Sequence, residues 1–306
     1  MFFSNAQIER STATESRVPQ FEKITNKMQI IREKFDTSDV EAQNMLRFST
    51  SSGKNYLYYV GIENTAQAFE FQKESALLLT PQAASLTDKN SKPVESAFGL
   101  FPQIDANGIS LEYFQTPDSA AFDEVILALD NNYAEKSYMV GHGMNLMLKL
   151  KDYLVKFGQN GTGNLSFSPF EGGESQSIKL NFKSYCVGAY EFYFQQWDIL
   201  SHKDSLGAPG LPFRHKAVFI PSGMTKNADP DRAASSPAYE PYIQLVSPTW
   251  GFANPAIDKG EYLMWETGAL AQPNPTSDIL ERAVHMVAYV SLELRCRHKF
   301  AQWDLS

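Results

Sequence analysis

The tripeptide Gly141-His142-Gly143 is the part of this sequence that most resembles an enzyme site. Two glycines beside a histidine could expose backbone N–H groups to an oxyanion next to a general base. A hydrolase that uses His142 is therefore one open hypothesis. However, the sequence contains no G-x-S-x-G motif that would carry a serine nucleophile. We interpret residues 141–143 instead as a tight turn between a strand and a helix.

Two glycine-rich segments are candidates for phosphate binding. Residues 158–165 are GQNGTGNL, and residues 171–174 are EGGE. A phosphate-binding loop needs a preceding strand and a terminal Lys-Ser/Thr pair, and neither segment has them. A dinucleotide site needs its glycines between a strand and a helix, whereas the predicted order here is helix, glycines, strands. Both segments are therefore predicted to be loops.

The other side chains that could do acid–base or metal chemistry are scattered along the sequence. They are His202, His215, His285, His298, Asp198, Asp229, Asp231, Cys186 and Cys296. No two histidines have the spacing of a zinc site, and Asp229 and Asp231 lie in a turn-like NADPDR segment. Two cysteines favour reduced thiols over a disulfide framework. We predict no catalytic residue, no cofactor-binding residue and no metal-binding residue.

The composition is that of a folded, acidic protein. The 306 residues are 43% hydrophobic and 20% charged, with a formal net charge of -8. A sizeable core is expected, and the negative charge argues against a dedicated nucleic-acid-binding protein but is compatible with a shell that encloses DNA. We expect a soluble intracellular product, because the start lacks a signal-peptide pattern and no segment has the ~20 apolar residues that span a bilayer.

The elements that would position these residues begin with a polar arm at 1–20. Apolar residues recur every three or four positions over 21–35, which predicts an amphipathic helix, and a second helix capped by Ser38 is predicted for 38–47. The aromatic run at 56–62 predicts a strand. The pattern over 65–87 is ambiguous, with a helix as one interpretation of 65–79. An extended loop is predicted at 88–108 and a strand at 109–114.

The rest of the sequence predicts helices followed mainly by strands. The helices are predicted at 116–132 and 144–158, and the strands at 137–140, 177–185, 189–197 and 216–223. In a final strand within 277–300, apolar and polar residues alternate, which predicts one buried face. The basic run at 295–299 (RCRHK) is placed on this strand, where it could contact nucleic acid or form a charged rim at a subunit contact. This order, with many long loops, predicts an α+β fold.

Three blocks of the sequence resemble tailed-bacteriophage major capsid proteins. They are FDEVILALDNNYAEKSYMVGHGMNLMLKLKDYL, then IKLNFKSYCVGAYEFYFQQWDILSHKDSLG followed by KAVFIPSG, and GEYLMWETGAL with RAVHMVAYVSLELRCRHKF. Together they span about the last two-thirds of the chain. Such capsid proteins share the Hong Kong 97 phage-like fold, which encapsulins also have.

The resemblance implies an N-terminal arm, an extension loop, a peripheral domain with a spine helix, and an axial domain. We assign the arm and first helices to 1–47, an extension-loop candidate with strands to 48–117, and interleaved peripheral and axial domains to 118–306. The spine helix is expected at 118–132 or 138–157.

The implied function is that of a coat protein, with no enzymatic activity and no cofactor. It would self-assemble through pentamers and hexamers into the icosahedral head shell of a tailed phage. The shell would enclose double-stranded DNA without reading its sequence and could require scaffolding, portal and decoration proteins; no membrane partner is expected. The chain would be made in the host cytoplasm and reside in the virion. A tail or decoration subunit, an encapsulin-like shell protein and the hydrolase remain as alternatives.

Overall fold

Two larger β-sheets organise the part of the chain that the structure describes. The computed structural model describes residues 24–38, 56–81, 86–87, 93–94, 96–113, 117–150, 184–201, 212–226, 239–248, 262–269, 278 and 281–305. The helices are α1 (Tyr56–Leu79), α2 (Leu100–Asn107), α3 (Ser119–Asn131) and α4, described over 144–150. Short 3-10 helices span Asp198–Leu200, Pro212–His215 and Arg297–Lys299.

Fourteen strands lie within the described residues. The first seven are β1 (Gln29–Ser38), β2 (Leu86–Thr87), β3 (Pro93–Val94), β4 (Ile109–Tyr113), β5 (Ser137–His142), β6 (Ser184–Val187) and β7 (Tyr190–Gln196). The others are β8 (Ala217–Pro221), β9 (Met224–Lys226), β10 (Tyr239–Pro241), β11 (Ile243–Val246), β12 (Tyr262–Thr267), β13 (Glu281–Leu294) and β14 (Ala301–Leu305). Two pairs, β2 with β3 and β9 with β10, form separate two-stranded ribbons.

The six-stranded sheet has the strand order β4-β14-β8-β5-β7-β6. Its strands β4 and β14 pair in parallel, as do β5 and β7, and its other neighbours are antiparallel. One face is covered by α3 and α4, which contribute Phe122 and Leu146 to an aromatic core around Trp303. The Trp303 ring centroid lies 4.8 Å from that of Phe122 and 4.9 Å from that of Phe219, in edge-to-face contacts.

The opposite face of this sheet packs on α2 and on the end of β13. Successive side chains of a strand point to opposite faces, and in β8 the residues between those of the aromatic core, Val218 and Ile220, enter a second cluster. There they join Leu100 and Ile104 of α2 and Leu294 of β13. The six-stranded sheet is thus buried on both faces.

The four-stranded sheet is built around the long strand β13. Three strands pair with it antiparallel: β1 along 281–290, β12 along 283–288 and β11 along 291–294. Helix α1 covers one face, where Phe69 packs with Ile31 and with Val284 and Met286 of β13. Every even-numbered residue of β13 from Val284 to Leu294 is buried, as the predicted buried face requires, but Ala283, Val287 and Ser291 of the other face are buried as well.

The predicted helix over 21–35 is wrong, because the second half of this segment lies in β1. Ile31 and Phe35 both pack against the α1 side of the sheet. Their separation of four positions fits a helical turn and also two strand repeats, so it cannot distinguish the two. The positions between them decide, since every second residue of β1 from Ile30 to Asp36 is exposed.

The predicted strand at 56–62 is also wrong, because these residues belong to α1, which continues through the helix predicted at 65–79. Strand propensity is a weak signal beside the packing of a helix on a sheet. The predicted loop at 88–108 contains α2. Pro102 lies in the first turn of that helix, where a missing backbone N–H breaks no intrahelical hydrogen bond.

Most of the later elements agree with the sequence analysis. Strands β4, β7 and β8 lie within their predicted segments, as do α3 and the described start of α4, and β5 continues past its predicted end at 140 to His142. Strand β14 is not among the elements that the sequence pattern predicts. The arm at 1–20, residues 39–47 of the second helix and the loops at 158–165 and 171–174 lie outside the described residues; Ser38 is the last residue of β1.

Candidate functional site

The predicted turn at 141–143 is only partly correct, because Gly143 alone lies between β5 and α4. Gly141 and His142 end β5, and α4 begins after Gly143. Neither glycine has a positive φ; within the described residues the positive-φ glycines are Gly188, Gly223 and Gly268.

Both glycines of this turn are required by close packing rather than by backbone conformation. A Cβ atom on Gly141 would lie 2.5 Å from the indole ring of Trp197. A Cβ atom on Gly143 would lie under 3.0 Å from the backbone of Arg214, which has little freedom to move. The absence of a Cβ therefore lets two neighbouring segments approach the end of β5.

His142 is inside the protein and has a structural environment. Its side chain is 2% exposed, its Nδ1 lies 3.1 Å from the Gly143 carbonyl oxygen, and its ring is near Phe194. Burial lowers the pKa of His142 below its ordinary value, and the contact with Gly143 opposes that shift. A neutral, buried imidazole that contacts a carbonyl oxygen and an aromatic ring is poorly placed to act on a substrate.

The start of α4 is fixed by residues that are distant in sequence. The Met144 N–H donates to Ser201 Oγ at 3.0 Å, which satisfies one of the free donors at the start of a helix. Arg214 donates from Nε and from its terminal nitrogen to the Ser201 carbonyl oxygen, at 3.2 and 3.0 Å. Ser201 and Arg214 thus hold the turn, and no local sequence motif indicates either of them.

His215 lies beside this turn, and within the described residues it makes no hydrogen bond to a carboxylate. Its Nε2 is 3.3 Å from Asn145 Nδ2, and its carbonyl oxygen accepts from the Tyr113 hydroxyl at 2.6 Å. Burial lowers the pKa of His215, and the nearby charge of Lys149 lowers it further. Asn145 and Lys149 do not form a nucleophile–base pair with it, so these groups give no acyl-transfer or general-base arrangement.

His285 lines an open groove on the four-stranded sheet, on the face that α1 does not cover. We call this the sheet groove; it is bounded by Arg32, Lys34, Leu263, Trp265, His285 and Tyr289, and its volume is about 470 Å³. The His285 ring stacks on Trp265 with centroids 5.3 Å apart, and its Nε2 lies 2.7 Å from Thr267 Oγ1. The groove is aromatic and weakly charged.

The remaining candidates from the sequence stay apart. His298 is exposed in a 3-10 helix, and Asp198 accepts from Gln196 at 3.0 Å. Cys186 and Cys296 are free thiols. His202, Asp229 and Asp231 lie outside the described residues. Within the described residues, no group of histidines, cysteines and carboxylates could hold a metal ion, and no helix could cross a membrane.

The basic run at 295–299 does not lie on β13 as predicted, because the strand ends at Leu294 and the chain turns at Cys296 in a left-handed conformation. Two of its cations face acidic partners of the same chain, and Arg297 donates to Asn107 Oδ1 at 3.4 Å. Arg295 pairs with Glu240 and Glu293, and Lys299 pairs with Glu135 at 3.3 Å. Cations that are already paired offer little attraction to phosphate groups.

The architecture of the two sheets matches a known capsid structure. No family model matches the sequence, and no curated protein matches it either. The capsid asymmetric unit of cyanophage A-1(L) superimposes with a TM-score of 0.51 at 12% identity, covering 90% of this chain and 77% of that chain. The chain has the Hong Kong 97 phage-like capsid fold.

Other solved structures are similar at lower scores. Mycobacterium phage Adephagia gives a TM-score of 0.49 at 9% identity, covering 98% of this chain and 81% of that chain. The holo-SrpI encapsulin complex from Synechococcus elongatus gives 0.46 at 9% identity, covering 90% of this chain and 73% of that chain.

Proposed function

We propose that this chain is a major capsid protein that self-assembles into the icosahedral head shell of a tailed phage and encloses its DNA. The observation that carries the proposal is the likeness in fold to the cyanophage A-1(L) capsid over 90% of this chain. The protein would act in the virion as pentamers and hexamers, after synthesis in the host cytoplasm. Scaffolding, portal and decoration proteins are possible partners.

The chemistry of the described residues supports a structural role. The histidine of the most enzyme-like motif, His142, is buried, and Arg295 and Lys299 of the basic run are paired with acids of the same chain. The net charge of -8 suits the lining of a container for DNA, because weak or repulsive contact leaves the polymer free to move. No sequence-specific contact with DNA is part of the proposal.

The domain assignment follows the two sheets. We infer that the four-stranded sheet and α1 belong to the peripheral domain, and that the six-stranded sheet with α3 and α4 belongs to the axial domain. Helix α1, with 24 residues, is the longest described helix and lies along β1 and β13. It replaces 118–132 and 138–157 as our candidate for the spine helix. Residues 1–20 remain the proposed arm, and the extension loop remains within 48–117.

The test is assembly of the purified chain, alone and with a scaffolding protein if one is encoded nearby. Light scattering coupled to size exclusion, followed by electron microscopy, should reveal capsomers or closed shells. A chain without residues 1–20 is the matched variant, and we expect it to fold, as judged by circular dichroism, but to give fewer shells. A protein that remains monomeric under every condition would refute the proposal.

A further inference from the structure

Helix α3 exposes one apolar residue in the middle of an acidic face. Leu127 is 65% exposed. Asp123, Glu124 and Asp130 are also exposed and lie within one turn of it on the same side, because residues three and four apart are neighbours on a helix. The helix has no basic residue in its sequence, Ser119–Asn131, but Lys136 beyond its end pairs with Asp130 at 2.9 Å, which leaves Asp123 and Glu124 as the acids beside Leu127. An isolated exposed leucine is ordinary, but one ringed by carboxylates has a distinct chemical character.

A second exposed apolar side chain follows the helix. Tyr133 is 90% exposed and has a φ of 49°. The left-handed conformation costs a residue with a Cβ about 1–2 kcal/mol. Hydrogen bonds from the Tyr133 N–H to the Asp130 carbonyl and from the Ala134 N–H to the Leu129 carbonyl, each 3.1 Å, hold the chain in this turn. The fold therefore presents Tyr133 outward just after the end of α3.

The sheet groove has the complementary character. Trp265, Leu263 and Tyr289 line its floor on the face of the sheet opposite α1, and Ile30, 49% exposed, lies at its edge on β1. Arg32 provides an exposed cation on the same strand. The other charges of this edge are already engaged within the chain, since Lys34 pairs with Asp36 at 2.9 Å and Glu33 accepts a hydrogen bond from Gln72.

We propose that α3 of one copy docks in the sheet groove of a second copy, with Leu127 and Tyr133 against its aromatic floor and Asp123 or Glu124 beside Arg32. Charge complementarity selects this occupant, because Leu127 lies beside the exposed acids Asp123 and Glu124 and the groove has Arg32 at its rim. The two surfaces lie on different sheets, so the contact is head-to-tail and can continue from copy to copy. The proposal rests on the assembly function and specifies one of its contacts.

The first test is disulfide cross-linking between two chains in a Cys186→Ser background, which removes the exposed native thiol. One chain carries Leu127→Cys and the other Ile30→Cys. After mild oxidation of the assembled mixture, we expect a heterodimer band about tenfold stronger than with the control. The control replaces Leu127→Cys with Met224→Cys, because Met224 is equally exposed at 65% but lies on the β9–β10 ribbon.

The second test exchanges the charges. Arg32→Glu alone and the pair Asp123→Arg with Glu124→Arg should each reduce particle yield about tenfold, and combining all three should restore most of it. If shells form but the cross-link is no stronger than with Met224→Cys, the contact is refuted, the capsid function stands, and the groove accepts another segment. If neither shells nor cross-link form, both proposals fail.

Discussion

The two sheets of this protein differ in how completely they are covered. The six-stranded sheet has α3 and α4 on one face and α2 with the end of β13 on the other, so its central strands β8 and β14 are almost fully buried. The four-stranded sheet has α1 on one face and the sheet groove on the other. The first sheet supplies the stable core of the subunit, and the second offers a surface that another molecule can occupy.

Because of this difference in coverage, the residues that look most reactive in the sequence are not the ones that the fold leaves accessible. The Gly141-His142-Gly143 motif, which looks most like an active site, lies in the fully covered sheet, where it allows close packing. His285, which belongs to no motif, lies in the open groove. In this protein, a binding surface is therefore found by asking which sheet face lacks a covering helix, and short sequence motifs do not indicate it.

The largest expected effect is at the turn after β5. Gly143→Val should destabilise the protein by about 3 kcal/mol or more, because its side chain would meet the immobile backbone of Arg214. That is a large part of the stability of a typical domain. Thermal unfolding followed by circular dichroism would measure the loss.

The matched control for this prediction is Gly188→Ala in the turn between β6 and β7. Gly188 has a φ of 58°, and no atom lies near the position of its Cβ, so only backbone strain of about 1–2 kcal/mol is expected. If Gly143→Val is tolerated as well as Gly188→Ala, close packing is not the reason for the glycine at 143.

A second prediction compares one tryptophan from each sheet. Trp303 is 1% exposed at the centre of the aromatic core, and Trp303→Ala should cost about 3–5 kcal/mol in unfolding free energy. Trp265 is half-buried in the groove, and Trp265→Ala should cost only about 1 kcal/mol, mainly the stacking on His285. Chemical denaturation of both variants gives the two values. Equal losses would contradict the contrast between a closed and an open sheet.

The sequence predicted the elements of the covered sheet better than those of the open one. Strands β5, β7 and β8 are short, apolar and bounded by turn residues, so their pattern is unambiguous. In the open sheet, β1 keeps its buried residues at a spacing that also suits a helix. The start of α1 contains aromatic residues that favour strands, and only its packing against β1 and β13 selects the helix.

The candidate surfaces could not be predicted, because they depend on long-range neighbours. Nothing near Ser201 in sequence indicates that it accepts from the first turn of α4, 57 positions earlier. The groove likewise requires β1 and β12 to flank β13, so residues such as Arg32, Trp265 and His285 meet only in the folded chain. The acidic face of α3 could be found from the sequence, since helical spacing alone places its carboxylates around Leu127.

A third prediction concerns the junction between the two sheets. The Tyr242 hydroxyl donates to Glu135, and this hydrogen bond and the nearby Lys299 hold the pKa of Glu135 below its ordinary value of 4.5. A lowered carboxyl pKa stabilises the folded state above the unfolded pKa, and this stability is lost as the pH falls through the folded pKa. Tyr242→Phe should therefore cost about 0.5–1 kcal/mol at pH 7, a small value because Glu135 is partly exposed.

The same variant should lose less and less relative to the natural chain as the pH falls below 4.5, since protonated Glu135 no longer benefits from the hydroxyl. Urea unfolding at several values between pH 7 and pH 3 would show the two stability curves converging. Lys226→Ala, on the exposed β9–β10 ribbon, is the control and should run parallel to the natural chain. A constant difference for Tyr242→Phe across this range would mean that the carboxylate is not the partner that matters.

The smallest expected effect tests whether His142 belongs to the covered sheet in solution. Burial lowers the pKa of His142 in the folded state, so below pH 6.5 the unfolded chain binds a proton that the folded chain rejects, and stability falls as the pH drops. His142→Asn removes this titration while keeping an amide N–H that can donate to the Gly143 carbonyl oxygen. The variant should therefore lose less stability than the natural chain as the pH is lowered from about 7.5 to about 5, the range in which histidines titrate.

His215, His285 and His298 also have lowered pKa values, but they contribute equally to both chains and cancel in the difference. Identical pH profiles would place His142 in contact with water, which would return the turn at 141–143 to the list of sites that could act on a substrate.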